Sequence, residues 1–244
     1  MNILAQAHEP FVLFGPAHLV VLALAVLVPT GLILWTRHSG PGVGRAIRWT
    51  IAAVLVVNEI VYEIHGLSTH GWRKFLENYL PLHVCGVAVF LVAWTMIRPR
   101  RTAFELAYFW GLAGTLQAIV TPELQYGFPE YRFIEFFLNH GLIVTGVFYA
   151  VWAMKLRPGP GAVWRTFWLT NAYAAIAGLA DWLIGGSANY MYMCRRPATA
   201  NPLFFLDWPW YIPFMEVAGL LIITALYLPF WRRGRPAGPP GDFP

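Results

Sequence analysis

The chain predicts an all-α fold, a polytopic bundle of seven transmembrane helices. Three observations carry this. Of its 244 residues, 58% are hydrophobic and only 12% charged, about half the charged fraction usual in a soluble domain. Mean hydropathy is +0.53. Several apolar runs are long enough to cross a hydrocarbon core, which takes about 20 residues.

The expected spans are 17–36, 47–65, 80–98, 104–121, 134–155, 163–185 and 211–231. Span 1 follows His8-Glu9-Pro10, with no basic stretch before it and no small-residue cleavage site, so it is read as a retained helix and not a cleaved signal. Span 2 starts after the breaker Gly40-Pro41-Gly42. Span 3 is opened by Pro81, a residue suited to a first helical turn. Span 4 ends in Thr121-Pro122-Glu123, and Tyr126-Gly127-Phe128-Pro129 leads to span 5. Pro158-Gly159-Pro160-Gly161 separates spans 5 and 6. Asp207-Trp208-Pro209-Trp210-Tyr211 leads into span 7, where Trp208 and Trp210 suit an interfacial aromatic belt. These elements make one membrane domain over 1–235, with a disordered Pro/Gly-rich tail at 236–244. No internal repeat is visible.

Basic residues orient the bundle. Arg37, Arg45, Arg48, Arg98, Arg100, Arg101, Lys155, Arg157, Arg165, Arg232, Arg233 and Arg235 fall on one side; Arg73, Lys74, Arg132, Arg195 and Arg196 fall on the other. The positive-inside rule then puts the N-terminus outside and the C-terminus in the cytoplasm. The net charge of +5 is spread over span ends, so it does not point to nucleic acid. Membrane lipids are the expected partners, and no motif specifies an oligomeric state.

Polar groups gather at one depth. Counted inward from the outer ends at about 1.5 Å per residue, Glu63, Glu59, Cys85, Gln117, His140, Asp181 and Glu216 lie within roughly two turns, on six different spans. The inner halves offer few such groups besides Glu105 and Asn171. An Asp near the bilayer centre costs about 2.5–3.5 kcal/mol, less toward the interface. Lipid-facing placement is therefore unfavourable, and the groups should face an outward-open pocket. Glu59 and Glu63, four residues apart, share a face, with Asn58 and Tyr62 beside it.

Cys85, in Leu80-Pro81-Leu82-His83-Val84-Cys85-Gly86, has several readings. It suits a small buried hydrophobe, a disulfide partner of Cys194 on the exported side, or a metal ligand with His65, His70, His83 or His140, though no metal motif matches. It also suits a nucleophile, since the positive end of a helix favours thiolate. On a helix, His83 would point nearly opposite to Cys85. His140, between Asn139 and Gly141 at a compatible depth, is the better base, with Glu59 or Asp181 orienting its ring. Asn189 and Tyr190 would cover the pocket.

The Leu-Pro-Leu-His-Val-Cys segment, Asn139-His140-Gly141, Asn189-Tyr190-Met191 and Trp208-Pro209-Trp210-Tyr211 together resemble the YwaF-type integral membrane family, in order and spacing, up to about residue 231. The resemblance implies a bacterial cytoplasmic-membrane protein. It also implies kinship with an animal transmembrane cysteine-dependent acyltransferase that moves acyl chains between phospholipids. It implies as well a more distant relation to the androgen-induced lipid hydrolases, similar in fold, which use a Thr nucleophile and a His. Carried to this chain, the resemblance puts Cys85 at the nucleophile position and His140 at the base.

The expected activity is thus a thiol-dependent acyltransferase or lipid hydrolase without a cofactor. Glu63, His83, Gln117, Asn139, Asn189, Tyr190 and Glu216 would line its substrate pocket, and Gln117, Asn139 or the first backbone N–H groups of span 3 would hold the oxyanion. The alternative is a non-catalytic transporter or receptor holding a small polar ligand in the same pocket. Seven spans with an outside N-terminus invite comparison with rhodopsins, but span 7 has no Lys for a retinal Schiff base.

Overall fold

A computed structural model describes residues 9–196 and 205–231. The expected tail at 236–244, with Arg232, Arg233 and Arg235 of the charge count, lies outside the described residues. Among them are seven helices of ten or more residues: α1 (Pro16–His38), α2 (Pro41–Asn78), α3 (Val84–Ile97), α4 (Arg101–Val120), α5 (Tyr131–Trp152), α6 (Ala162–Ile184) and α7 (Tyr211–Trp231). No strand is present among the described residues, apart from a single bridge between Pro10 and Tyr126. Five of the helices, α1, α2, α4, α5 and α7, are long and apolar enough to cross a membrane.

The packing follows the apolar pattern. Ala88, Val89, Val92, Ala93 and Met96 of α3 are buried against Ile51, Ala52 and Leu55 of α2, Phe104, Ala107 and Phe109 of α4, and Ile143 and Val147 of α5. Small residues on α3 let its neighbours approach, as bilayer packing favours. Helix α1 lies against α5, and α7 meets α6. Both outer helices expose bulky apolar groups, including Val26, Leu27 and Leu221, as a surface in contact with lipid requires.

Three elements differ from the sequence reading. Helix α2 continues past residue 65, and its unbroken part, 41–70, covers about 45 Å. It breaks at Gly71 (φ 75, ψ 172), a left-handed conformation open to glycine. Helix α3 starts at Val84 and not near residue 80, so Pro81 precedes the helix instead of sitting in its first turn. Its 14 residues cover only about 21 Å. Helix α4 contains a π-helical stretch, Gly111–Thr115, a wider turn often found at functional sites.

The end of the bundle away from Cys85 is closed by ions. The Glu105 carboxylate is buried and accepts hydrogen bonds from Arg101 Nε (3.1 Å), Arg165 Nε (3.0 Å) and Nη2 (2.8 Å), and the backbone N–H of Gly159 (3.0 Å). One carboxylate thus joins the start of α4, the connector after α5 and the first turn of α6.

Candidate site: a polar cavity around Cys85 and His140

Cys85 is the second residue of α3, and the segment before it is fastened from three directions. Leu80 N–H donates to the Tyr190 hydroxyl (3.1 Å), which itself donates to the Leu76 carbonyl (2.9 Å). The Tyr173 hydroxyl donates to the Leu82 carbonyl (2.9 Å). Met191 N–H donates to His83 Nδ1 (3.3 Å). Pro81 folds back on Gly86 so closely that a Cβ there would meet Pro81 Cα at 2.8 Å. Glycine after Cys85 is therefore a steric requirement.

A cavity of about 870 Å3 opens beside this segment. Of the residues singled out from the sequence, Glu59, His83, Cys85, Gln117, Asn139, His140 and Glu216 line it. Singled-out residues of α2, α3, α4, α5 and α7 therefore line one cavity, five of the six spans that the depth count named. Glu63, Asp181, Asn189 and Tyr190 lie off its wall. Asp181 accepts from Tyr190 N–H (2.8 Å) and lies 3.9 Å from the Cys194 thiol, so it organises the α6–α7 connection and does not stand behind His140. Asn189 works in the same connection: its Oδ1 accepts from Cys194 and Arg195 N–H, both at 3.0 Å, and its Nδ2 donates to the Arg195 carbonyl (2.7 Å). Tyr190, expected as a cover, is the fully buried bolt under the α3 start.

The two cavity imidazoles are in different tautomers. His140 Nδ1 is 2.7 Å from the Phe136 carbonyl. A carbonyl only accepts, so Nδ1 carries the proton and the lone pair resides on Nε2. The ring also stacks on Phe136, with centroids 4.0 Å apart. The orienting group is thus a backbone carbonyl, where the sequence had nominated Glu59 or Asp181. His83 is the reverse case. Its Nδ1 accepts from Met191 N–H, so its proton sits on Nε2. His83 is the N-cap residue of α3 with extended backbone (φ −72, ψ 152), so the helical-face argument that set it aside does not apply.

Three further groups, Thr115, Arg132 and Glu135, were not singled out for the site in the sequence reading. Thr115, at the end of the π-helical stretch, directs its buried hydroxyl at Cys85 Sγ (3.9 Å). Arg132 pairs with Glu135 and lies 4.6 Å from the centre of the Tyr62 ring; all three line the cavity. The Arg132–Glu135 spacing of three residues was a visible helical pair, whereas nothing in the string announced the π-turn. Asn139 Nδ2 donates to Glu59 Oε2 (2.7 Å), and Asn171 Nδ2 to Glu216 Oε2 (2.8 Å). Asn171 thus holds a carboxylate that lines the cavity.

Both cysteines are free, Cys194 exposed and Cys85 half-buried. Burial, followed by the neighbouring Asp181 carboxylate, pushes the Cys194 thiol above its ordinary range. In the same connection, burial keeps the Tyr192 phenol well above its usual value, and its hydroxyl donates to Glu123 Oε2 (3.1 Å). Among the described residues, no group of three or more His, Cys, Asp or Glu side chains is placed to hold a metal ion.

Comparison with curated proteins and with solved structures gives no match. Comparison with protein families does: the TMEM164 family matches residues 13–227. That stretch holds every helix up to the last turn of α7 and the whole cavity wall, and with five helices long and apolar enough to cross a bilayer the chain is an integral, multi-pass membrane protein belonging to the TMEM164 family.

Proposed function

We propose that this protein is a thiol-dependent acyltransferase or hydrolase acting on acyl esters of phospholipids. The observation that carries the reading is the shared cavity of Cys85 and His140, with the lone pair of His140 on Nε2. That tautomer suits a general base, and the Phe136 carbonyl, which accepts from Nδ1–H, plays the part a carboxylate plays in other nucleophile–histidine pairs.

The chemistry runs in two halves. His140 Nε2 takes the Cys85 proton, and the sulfur attacks the ester carbonyl. The C–O bond of the resulting tetrahedral centre breaks, His140 returns the proton to the leaving alkoxide, and a lysolipid departs from a Cys85 thioester. Water or a lysolipid hydroxyl then takes the acyl group, the C–S bond breaks, and the thiol is restored. The α3 N-terminus supports the thiolate. Gln117, the His83 Nε2–H and the first N–H groups of α3 are the donors available to an oxyanion.

The exposed apolar faces of α1 and α7 suit contact with lipid, and the asymmetry of basic residues supports an opening on the outer leaflet. The YwaF-type resemblance supports the same chemistry. The test is turnover of a labelled phospholipid by purified protein in vesicles. Cys85→Ala and His140→Gln should each abolish release of lysolipid. Undiminished release in Cys85→Ala would leave a cavity that binds a polar ligand without using the thiol.

A further inference from the structure

The connection between α6 and α7 takes a backbone form that few sequences adopt. Met191 (φ 53) and Tyr192 (φ 58) are consecutive residues in the left-handed region, and neither is glycine. Such a conformation persists only where its surroundings enforce it, and it collects at functional sites. Here the enforcement is explicit. Tyr190 N–H donates to Asp181 Oδ1 (2.8 Å), the Tyr211 hydroxyl donates to the Tyr192 carbonyl, and Trp208 Nε1 donates to the Met193 carbonyl (3.1 Å). Met191, Tyr192 and Met193 all line the cavity.

This segment delivers one N–H to the site. Met191 N–H donates to His83 Nδ1 (3.3 Å), and the rings of Tyr190 and Tyr192 pack against the His83 imidazole, with centroids 5.3 and 5.5 Å away. With the Nδ1 lone pair occupied, the ring's single proton stays on Nε2. That N–H has no partner among the described residues, and it is not one of their sealed polar atoms; His83 is half-buried and lines the cavity. Its Cα lies at most about 7 Å from that of Cys85, two residues on.

One cavity therefore holds two imidazoles with opposite offers, a lone pair on His140 Nε2 and a hydrogen on His83 Nε2. A neutral imidazole that aims its N–H at a carbonyl oxygen stabilises the charge developing there without giving up the proton. The strength of such a donor comes from being fixed beforehand. The Gln117 side chain has no hydrogen-bond partner among the described residues, so nothing fixes its amide, whereas His83 is held by a backbone bond and two rings. We propose that His83 is the oxyanion donor and that Met191 N–H is the positioning group that keeps it so, which makes the α6–α7 connection part of the catalytic site. The assignment rests on the thioester reading and selects among its donors.

The electrons balance without a proton from His83. As the sulfur adds to the ester carbonyl, the π pair moves onto oxygen and accepts from His83 Nε2–H. The pair returns as the C–O bond breaks, and the alkoxide takes its proton from His140. The second half repeats the sequence with the C–S bond breaking.

Two reactions of Cys85 separate this role from a structural one. In vesicles, a phospholipid labelled in its acyl chain reports thioester formation and decay by mass spectrometry. Iodoacetamide alkylates the same thiol by displacing iodide, which forms no oxyanion. His83→Phe, which keeps a ring and deletes the donor, should slow both thioester formation and decay by about a hundredfold and leave alkylation of Cys85 unchanged. His83→Gln, which keeps an N–H donor, should recover part of the loss. Replacing Met191 by its α-hydroxy acid deletes only the N–H and leaves every side chain in place; it should slow both halves by about tenfold, again without touching alkylation.

Thioester formation in His83→Phe at the original rate, or acylation and alkylation falling together in the Met191 replacement, would overturn the oxyanion assignment while leaving Cys85 and His140 in place. Absence of any thioester in the unmodified protein would remove both readings.

Discussion

The imidazole of His140 is fastened to its own helix: Nδ1 donates to the Phe136 carbonyl one turn earlier at 2.7 Å, and the ring stacks on the Phe136 side chain. The backbone thereby fixes the tautomer that leaves Nε2 basic. Replacing His140 with Gln, which cannot act as a base, should lower lysolipid release by about 10²–10⁴-fold while the detergent-solubilised protein melts within a few degrees of the original. Turnover within threefold of the original, at normal thermal stability, would remove His140 from the chemistry.

Thr115 Oγ1 points at Cys85 Sγ from 3.9 Å, and it is the π-helical turn that carries it there. Thr115→Val keeps the volume and deletes the donor. The rate of Cys85 thioester formation should fall by about fivefold, the value of one neutral hydrogen bond, and Thr115→Ser should restore it. Equal rates in the valine and serine variants would mean that the hydroxyl only packs.

Glu105 should matter for stability and not for turnover. Its carboxylate is buried, whereas the side chains of Arg101 and Arg165 are 40% and 37% exposed. These arginines can turn outward when Glu105 is lost, so the penalty falls below that of a fully buried pair. Glu105→Ala should cost about 1–3 kcal/mol, visible as a lower melting temperature in detergent, with lysolipid release per folded molecule preserved. A drop in release without a drop in melting temperature would tie the ion cluster to the cavity instead.

Acid should loosen the link between the end of α2 and the α6–α7 connection before it affects the bundle. Beyond the Gly71 break, Glu77 accepts from the Ser187 hydroxyl, Lys74 Nζ (2.9 Å) and Arg73 Nε (2.8 Å). Those donors, Ser187 first, hold its carboxyl at about 2, below the ordinary 4.5. Because the folded value is the lower one, this link between α2 and the α6–α7 connection is fully present above about pH 4.5 and is lost as pH falls toward 2. Hydrogen exchange at 72–78 and 185–192 should rise across that window, and Glu77→Gln should remove the pH dependence. A flat profile in the unmodified protein would contradict the assignment.

Long-range architecture was legible because the bilayer constrains it. Twenty-residue apolar runs separated by Gly-Pro breakers gave seven helices, and the cost of burying Glu59, His140 and Glu216 in lipid pointed to one shared cavity. The errors are local and have local causes. Pro81 reads equally well as a first-turn residue or as part of a turn, and only the bonds from Tyr173, Tyr190 and Met191 decide that α3 begins at Val84. Asp181 shares a helical face with Thr170 and Ala174, which line the cavity, but lies two turns beyond Ala174 and is taken up by the Tyr190 N–H and the Cys194 thiol. The orienting group of His140 is a backbone carbonyl, which no residue letter can reveal.

The most direct test of the central claim is a covalent one. Purified protein in vesicles is given a phospholipid labelled in its acyl chain, quenched in acid, digested, and mapped by mass spectrometry without reduction. The account predicts the labelled acyl group on the peptide bearing Cys85, with no acyl on Cys194 and no disulfide between the two. An unmodified Cys85 throughout turnover, or a Cys85–Cys194 disulfide in fully active protein, would contradict it.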